Sequence, residues 1–160
     1  MTRDLNDPGF GRCHLPSPAE GEAMPLGEGR VYNEGADDLV IFTFGNGVPM
    51  SLRAAKRIEA AHGWKVRVVD LRWLVPLNDG FIAAQAAGAK RVLVVDEGRK
   101  SAGVGEGVIT AIVEGGLGHL PLRRVVGADT FTPLAGAAFL VLPGDDDIAA
   151  AAAELAPIAT

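Results

Sequence analysis

Apolar residues in this chain fall into short β-branched runs separated by amphipathic stretches. Leu39 to Phe44 reads Leu, Val, Ile, Phe, Thr, Phe and predicts a strand buried on both faces. Trp64 to Leu71, with Val66, Val68, Val69 and Leu71, predicts a second. Val92 to Val95 predicts the central strand; polarity rises sharply after it at Asp96 and Glu97. Leu122 to Val126 is the last run, and Arg30 to Asn33 is a shorter candidate near the start.

The stretches between these runs carry helical periodicity. Pro49 suits a first helical turn, and Leu52, Ala55, Ile58 and Ala61 share one face of a helix stopped by Gly63. Asn78 can cap an alanine-rich helix that runs through Ala87. Val108, Ile109, Ile112 and Val113 form the apolar face of a third, ended by Gly115-Gly-Leu-Gly. Asp145, Asp146 and Asp147 open a fourth, from Ile148 to Leu155, where three acids complement the helix dipole. Two strands followed by alternating helices and strands predict an α/β fold with a mostly parallel sheet and helices on both faces.

Residues 1–28 break this pattern. They carry Pro8, Pro16, Pro18 and Pro25 with no sustained apolar period, so they read as an arm and residues 29–160 as the domain. The arm is either a segment that lies on a neighbouring domain or an unstructured leader.

Composition narrows the class. With 160 residues, 48% of them hydrophobic, the chain can close one core. A net charge of -5 and scattered basic residues argue against a nucleic-acid partner. A single cysteine, Cys13, allows no internal disulfide and no multi-thiolate metal site. No apolar stretch is long enough for a bilayer and the first residues are polar, so a cytoplasmic protein without a membrane partner is expected.

The candidate chemistry is sparse. Gly103-Val-Gly105-Glu-Gly107 has its third glycine one residue too early for a dinucleotide fingerprint, so it reads as a tight loop with close helix packing. His14, His62 and His119 have no metal-ligand spacing. Ser51 and Ser101 lack a nucleophile elbow. Asp96 and Glu97 are adjacent, so on a strand they face opposite sides and make a poor acid/base pair. The three aspartates at 145–147 read as helix-end charges rather than metal ligands. No complete catalytic, cofactor-binding or metal site emerges.

Five segments, in order, nonetheless carry a family resemblance. They are Pro25-Leu-Gly-Glu-Gly-Arg-Val, Asp38-Leu-Val-Ile-Phe-Thr-Phe-Gly, Val68-Val-Asp-Leu-Arg-Trp-Leu-Val-Pro-Leu, Val94-Val-Asp-Glu-Gly-Arg-Lys-Ser-Ala-Gly-Val-Gly-Glu and Arg124-Val-Val-Gly-Ala-Asp-Thr-Phe-Thr-Pro. From about Met24 to Leu155 the chain resembles the C-terminal domain of the transketolase group. Within that group it is most similar to the beta-subunit part of thiamine diphosphate-dependent 2-oxoacid dehydrogenases, oxidoreductases of the pyruvate, branched-chain or acetoin type. Met1-Thr-Arg-Asp-Leu resembles the end of the preceding pyrimidine-binding domain.

The resemblance implies a three-layer α/β/α domain on a five-stranded, mostly parallel sheet with an antiparallel first strand. It implies that thiamine diphosphate and magnesium are held by other domains of a parent enzyme, and that this domain binds no cofactor alone and is inactive by itself. Expected partners are the pyrimidine-binding and diphosphate-binding domains, a second copy of the domain in a dimer, and a dihydrolipoyl acyltransferase. Interface residues are expected where parallel strands end: Arg72, Glu97, Arg99, Asp129 and Phe131. The alternatives are a transketolase or deoxyxylulose-phosphate synthase domain, or a free-standing interaction module. Asp129-Thr-Phe-Thr-Pro looks like the dehydrogenase pattern, and the reading frame upstream of Met1 would separate the three.

Overall fold

The computed structural model describes residues 24–156. The arm expected over 1–28, with Cys13 and His14, lies largely outside that range. Five strands form one sheet in the order β1-β3-β2-β4-β5. They are β1 (Arg30–Tyr32), β2 (Leu39–Thr43), β3 (Val66–Asp70), β4 (Val92–Arg99) and β5 (Leu122–Gly127). Strand β1 pairs antiparallel to β3, with Arg30 opposite Asp70; all other pairings are parallel. Strand β2 holds the middle place and β4 lies beside it, so the run at Val92 is interior but not the centre.

Among the described residues four α-helices cover the sheet: α1 (Gly47–His62), α2 (Asp79–Ala86), α3 (Val104–Ile112) and α4 (Asp145–Ala153). Alternation along the strands decides which core each residue joins. Leu39, Ile41, Leu93 and Val95 pack with Ile58 of α1 and Ile148 of α4. Val40, Phe42, Val92 and Val94 pack with Ile82 of α2 and with Val108 and Ile112 of α3. Each buried side chain of this size contributes about 1.5–3 kcal/mol relative to exposure, so the two cores hold the three layers together.

The helix ends agree with the local chemistry. Gly63 caps α1 in the left-handed conformation at φ 69°, and the Asn78 side chain accepts the Phe81 N–H at 2.9 Å to start α2. Helix α1 begins at Gly47, two residues before Pro49, and its buried stripe is Met50, Ser51, Ala54, Ala55 and Ile58. Leu52 is only partly buried and Ala61 is exposed. The third helix ends in a π turn, Val113–Leu117, with Gly116 at φ 81°, which leaves Val113 exposed. A 3-10 turn, Ala135–Leu140, separates β5 from α4. Among the described residues no helix is long and apolar enough to cross a membrane.

Candidate functional site: the carboxyl edge of the sheet

The two edges of the sheet differ in how well their polar groups are matched. At the amino edge, Asp38 accepts from the Lys65 N–H at 2.9 Å and from Lys90 Nζ at 2.7 Å. These bonds, the Lys65 N–H first, hold its carboxyl below the ordinary value. Arg91 donates to the Leu155 carbonyl at 2.9 Å and lies over the Trp64 ring, while Asn33 donates to the Val66 carbonyl. This edge is closed by its own chain.

Left-handed non-glycine backbone occurs once at the amino edge, at Asn33 (φ 62°), a residue type that tolerates it, and three times in the segments that follow the parallel strands: Arg72 at φ 55° after β3, Ala102 at φ 57° after β4 and Ala135 at φ 53° after β5. Side chains disfavour that region, and such strain persists only where surrounding structure fixes it. The Ala102 N–H donates to Glu106 Oε2 at 3.1 Å, and Arg72 is held by Asp70, whose two carboxylate oxygens accept from its N–H and its Nε.

Asp96 and Glu97 point to opposite sides, as alternation requires. Asp96 is buried against α3 and accepts the Gly105 N–H at 2.8 Å and the Gly98 N–H at 2.7 Å. Glu97 turns to the other face and accepts from Asn46 Nδ2, at the start of α1, at 2.9 Å. Each carboxylate therefore sits near a helix N-terminus, where the dipole favours it. The Gly103–Gly107 segment is a packing device: a Cβ on Gly107 would stand 2.8 Å from the Leu77 side chain. The start of α3 is also filled by a carboxylate, so it does not fit a diphosphate.

The loops after β4 and β5 meet as expected. Arg99, Asp129, Thr130 and Phe131 line a hollow of about 240 Å³, and Ser101 Oγ donates to Asp129 Oδ2 at 2.6 Å. Among the described residues Arg99 has no carboxylate at ion-pair distance, whereas Arg72 has Asp70 at 3.2 Å. Arg72 is not among the residues that line this hollow. Beyond it the chain exposes Phe131 (92%), Leu134 (90%) and Leu140 (85%) within ten positions. Phe131 was among the expected interface residues; Leu134 and Leu140 were not, and the signal for them is the number of large apolar residues in a segment without a strand or helix pattern.

The Ser101 hydroxyl holds the Asp129 carboxyl below its ordinary value, aided by the Ser101 N–H and the charges of Arg99 and Lys100. The bond is therefore in place at neutral pH and is lost as pH falls through the depressed value. In the Ser101→Ala variant Asp129 titrates at higher pH than in the wild type, and a carbon-13 carboxyl titration reads the difference. An unchanged midpoint would show that Ser101 does not hold this group.

Of the remaining candidates, His62 stacks on Trp64 with ring centroids 4.7 Å apart, and His119 is exposed. Asp145 and Asp146 pair with Arg53 and Arg57 of α1, and Asp147 accepts the Gly144 N–H. All three acids are thus engaged in joining or capping helices. Among the described residues no three His, Cys, Asp or Glu side chains group as a metal site.

These features define a three-layer α/β/α domain with an antiparallel edge strand and an unmatched surface at its carboxyl edge. Residues 27–144 match the family model "Transketolase, C-terminal domain", and the chain belongs to that family. It is 35% identical over 133 residues to the pyruvate dehydrogenase E1 component subunit beta of Staphylococcus aureus, covering 82% of this chain and 40% of that protein. It is 39% identical over 124 residues to the 3-methyl-2-oxobutanoate dehydrogenase subunit beta of Mycobacterium tuberculosis, covering 76% and 35%. The chain thus spans about two fifths of the length of these relatives. Among solved structures, a split-gene transketolase described as an inactive beta4 tetramer superposes with a TM-score of 0.70 at 25% identity, over 88% of this chain and 45% of that one. The 2-oxoglutarate:ferredoxin oxidoreductase of Magnetococcus marinus shares the fold at a TM-score of 0.56 and 18% identity, over 80% and 19%.

Proposed function

We propose that residues 29–160 form the C-terminal domain of the beta subunit of a thiamine diphosphate-dependent 2-oxoacid dehydrogenase, with residues 1–28 leading in from a pyrimidine-binding domain. Its task is assembly. The carboxyl edge meets a second copy of the domain and the cofactor-bearing domains of the parent enzyme, and contributes to docking a dihydrolipoyl acyltransferase. The parent decarboxylates a 2-oxoacid on thiamine diphosphate with magnesium, in the cytoplasm, and this domain supplies no catalytic residue.

The reading of the parent is supported by similarity to beta subunits of two different 2-oxoacid dehydrogenases, at 35% and 39% identity. One observation carries the assembly role. Phe131 is exposed beside Arg99, Leu134 and Leu140 are exposed further along the same segment, and helices pack on both faces of the sheet. Exposed large apolar side chains with an unpaired guanidinium at hand are what a protein interface uses.

The test is made with the parent subunit and its alpha partner. With thiamine diphosphate and magnesium it should decarboxylate pyruvate or a branched-chain 2-oxoacid, and removal of residues 29–160 should abolish assembly. Calorimetric titration of the 160-residue chain with the cofactor and magnesium should give no binding. Micromolar binding to the chain alone, or transfer of a two-carbon ketol unit by the parent instead of oxidative decarboxylation, would overturn the reading.

A further inference from the structure

Asp96 is 2% exposed. A carboxylate so buried is costly unless its oxygens are hydrogen-bonded, and the Gly98 and Gly105 N–H groups bond both of them. The surrounding glycines explain how it fits. A Cβ on Gly98 would lie 2.8 Å from Asp96 Oδ1; one on Gly103 would lie 2.7 Å, and one on Gly105 3.3 Å, from Oδ2. None of these three glycines has positive φ. They make space around the carboxylate, and at Gly103 also beside the Arg99 carbonyl, rather than supplying backbone freedom.

The carboxylate also closes an irregularity in the sheet. Asp96 is opposite Val126, but the next paired residue, Arg99, is opposite Gly127. Glu97 and Gly98 are thus extra residues on β4, and a bulge of this kind re-aims the side chains that flank it. The Asp96 bond to the Gly98 N–H spans the bulge, and the bond to Gly105 ties it to the first turn of α3. Downstream of the bulge Arg99 reaches the hollow with Asp129 and Phe131, and within it Glu97 reaches Asn46.

We propose that Asp96 is the positioning residue of the carboxyl-edge surface: its carboxylate, caged by Gly98, Gly103 and Gly105, fixes the β4 bulge and thereby sets Arg99 for a partner. This rests on the reading of that edge as an interface. Asp96 touches no partner itself and acts through Arg99.

Asp96→Asn keeps the size of the side chain but sets an amide NH2 against one of the two N–H donors. In the 160-residue chain, exchange of the Gly98 and Gly105 amides should speed up about tenfold, as loss of a charge-assisted bond predicts, while amides of β2 keep their rates. In the parent assembly, Asp96→Asn and Arg99→Glu should each weaken association, and the double variant should be no weaker than Arg99→Glu alone. Gly98→Ala, which keeps the carboxylate but forces a Cβ against it, should give the same exchange pattern and covers the case in which Asp96→Asn does not fold. Unchanged exchange in both variants overturns the hold of Asp96 on the loop. Faster exchange with unaltered or simply multiplying effects on association overturns action through Arg99. If Arg99→Glu itself leaves association intact, the interface reading fails and the role of Asp96 in association falls with it; the exchange data alone then decide its hold on the loop.

Discussion

Leu93→Asp abolishes the folded state. Leu93 is fully buried in an interior strand, opposite Ile41 on one side and Arg123 on the other. Its side chain joins the core formed with α1 and α4, among Leu39, Ile41 and Val95. That set is apolar throughout, and the guanidinium of Arg123 lies out in solvent, paired with Glu154. The group either stays charged without a partner or takes up a proton and still lacks hydrogen bonds, in addition to losing the leucine contacts. Each route costs more than about 4 kcal/mol, against a typical domain stability of about 5–15 kcal/mol. Circular dichroism should show loss of the cooperative thermal transition, or a midpoint too low for a folded population at room temperature. Leu134→Asp is the matched control: the side chain is exposed, so the isolated chain should melt as the wild type does. A wild-type midpoint for Leu93→Asp would mean that the Val92 run is not an interior strand.

That expectation could be drawn from sequence because buried parallel strands have a local signature, a β-branched run without polar interruption. The same rule misjudged where β4 ends. Asp96 breaks the apolar run, yet the strand continues to Arg99, because the carboxylate finds its donors in Gly98 and in Gly105, nine positions away. Helix α1 shows a different limit. Of the expected face, Ala55 and Ile58 are buried, but Leu52 and Ala61 give way to Met50, Ser51 and Ala54, because small residues permit close approach to the sheet. The acids at 145–147 were legible as helix-end charges, but their partners Arg53 and Arg57 are some ninety positions away and only the fold brings them together. The edge was legible in part: the rule that parallel strands end together placed Arg99 near Asp129, and Arg72 meets a carboxylate at that edge, that of Asp70 at the end of its own strand.

Phe131→Ala separates the stability of the domain from its assembly. The ring is 92% exposed and contributes almost nothing to the core, so the isolated chain should keep its thermal midpoint. In the proposed assembly the same ring stands beside Arg99 at the mouth of the hollow, with Leu134 and Leu140 further along the segment. Aromatic and arginine anchors of this kind dominate interface energies, and truncating one costs about 2 kcal/mol or more, roughly thirtyfold in affinity. Sedimentation of the parent assembly should therefore show subunit association weakened by at least that factor, or docking of the acyltransferase reduced to the same degree. The salt dependence of what remains should match that of the wild type, because the loss is of apolar contact rather than of screened charge. Wild-type association and docking in Phe131→Ala would remove this edge as an interface. A lowered midpoint in the isolated chain would instead place the ring against the domain itself. Both results bear on the same residue, but they come from separate measurements, so neither can be mistaken for the other.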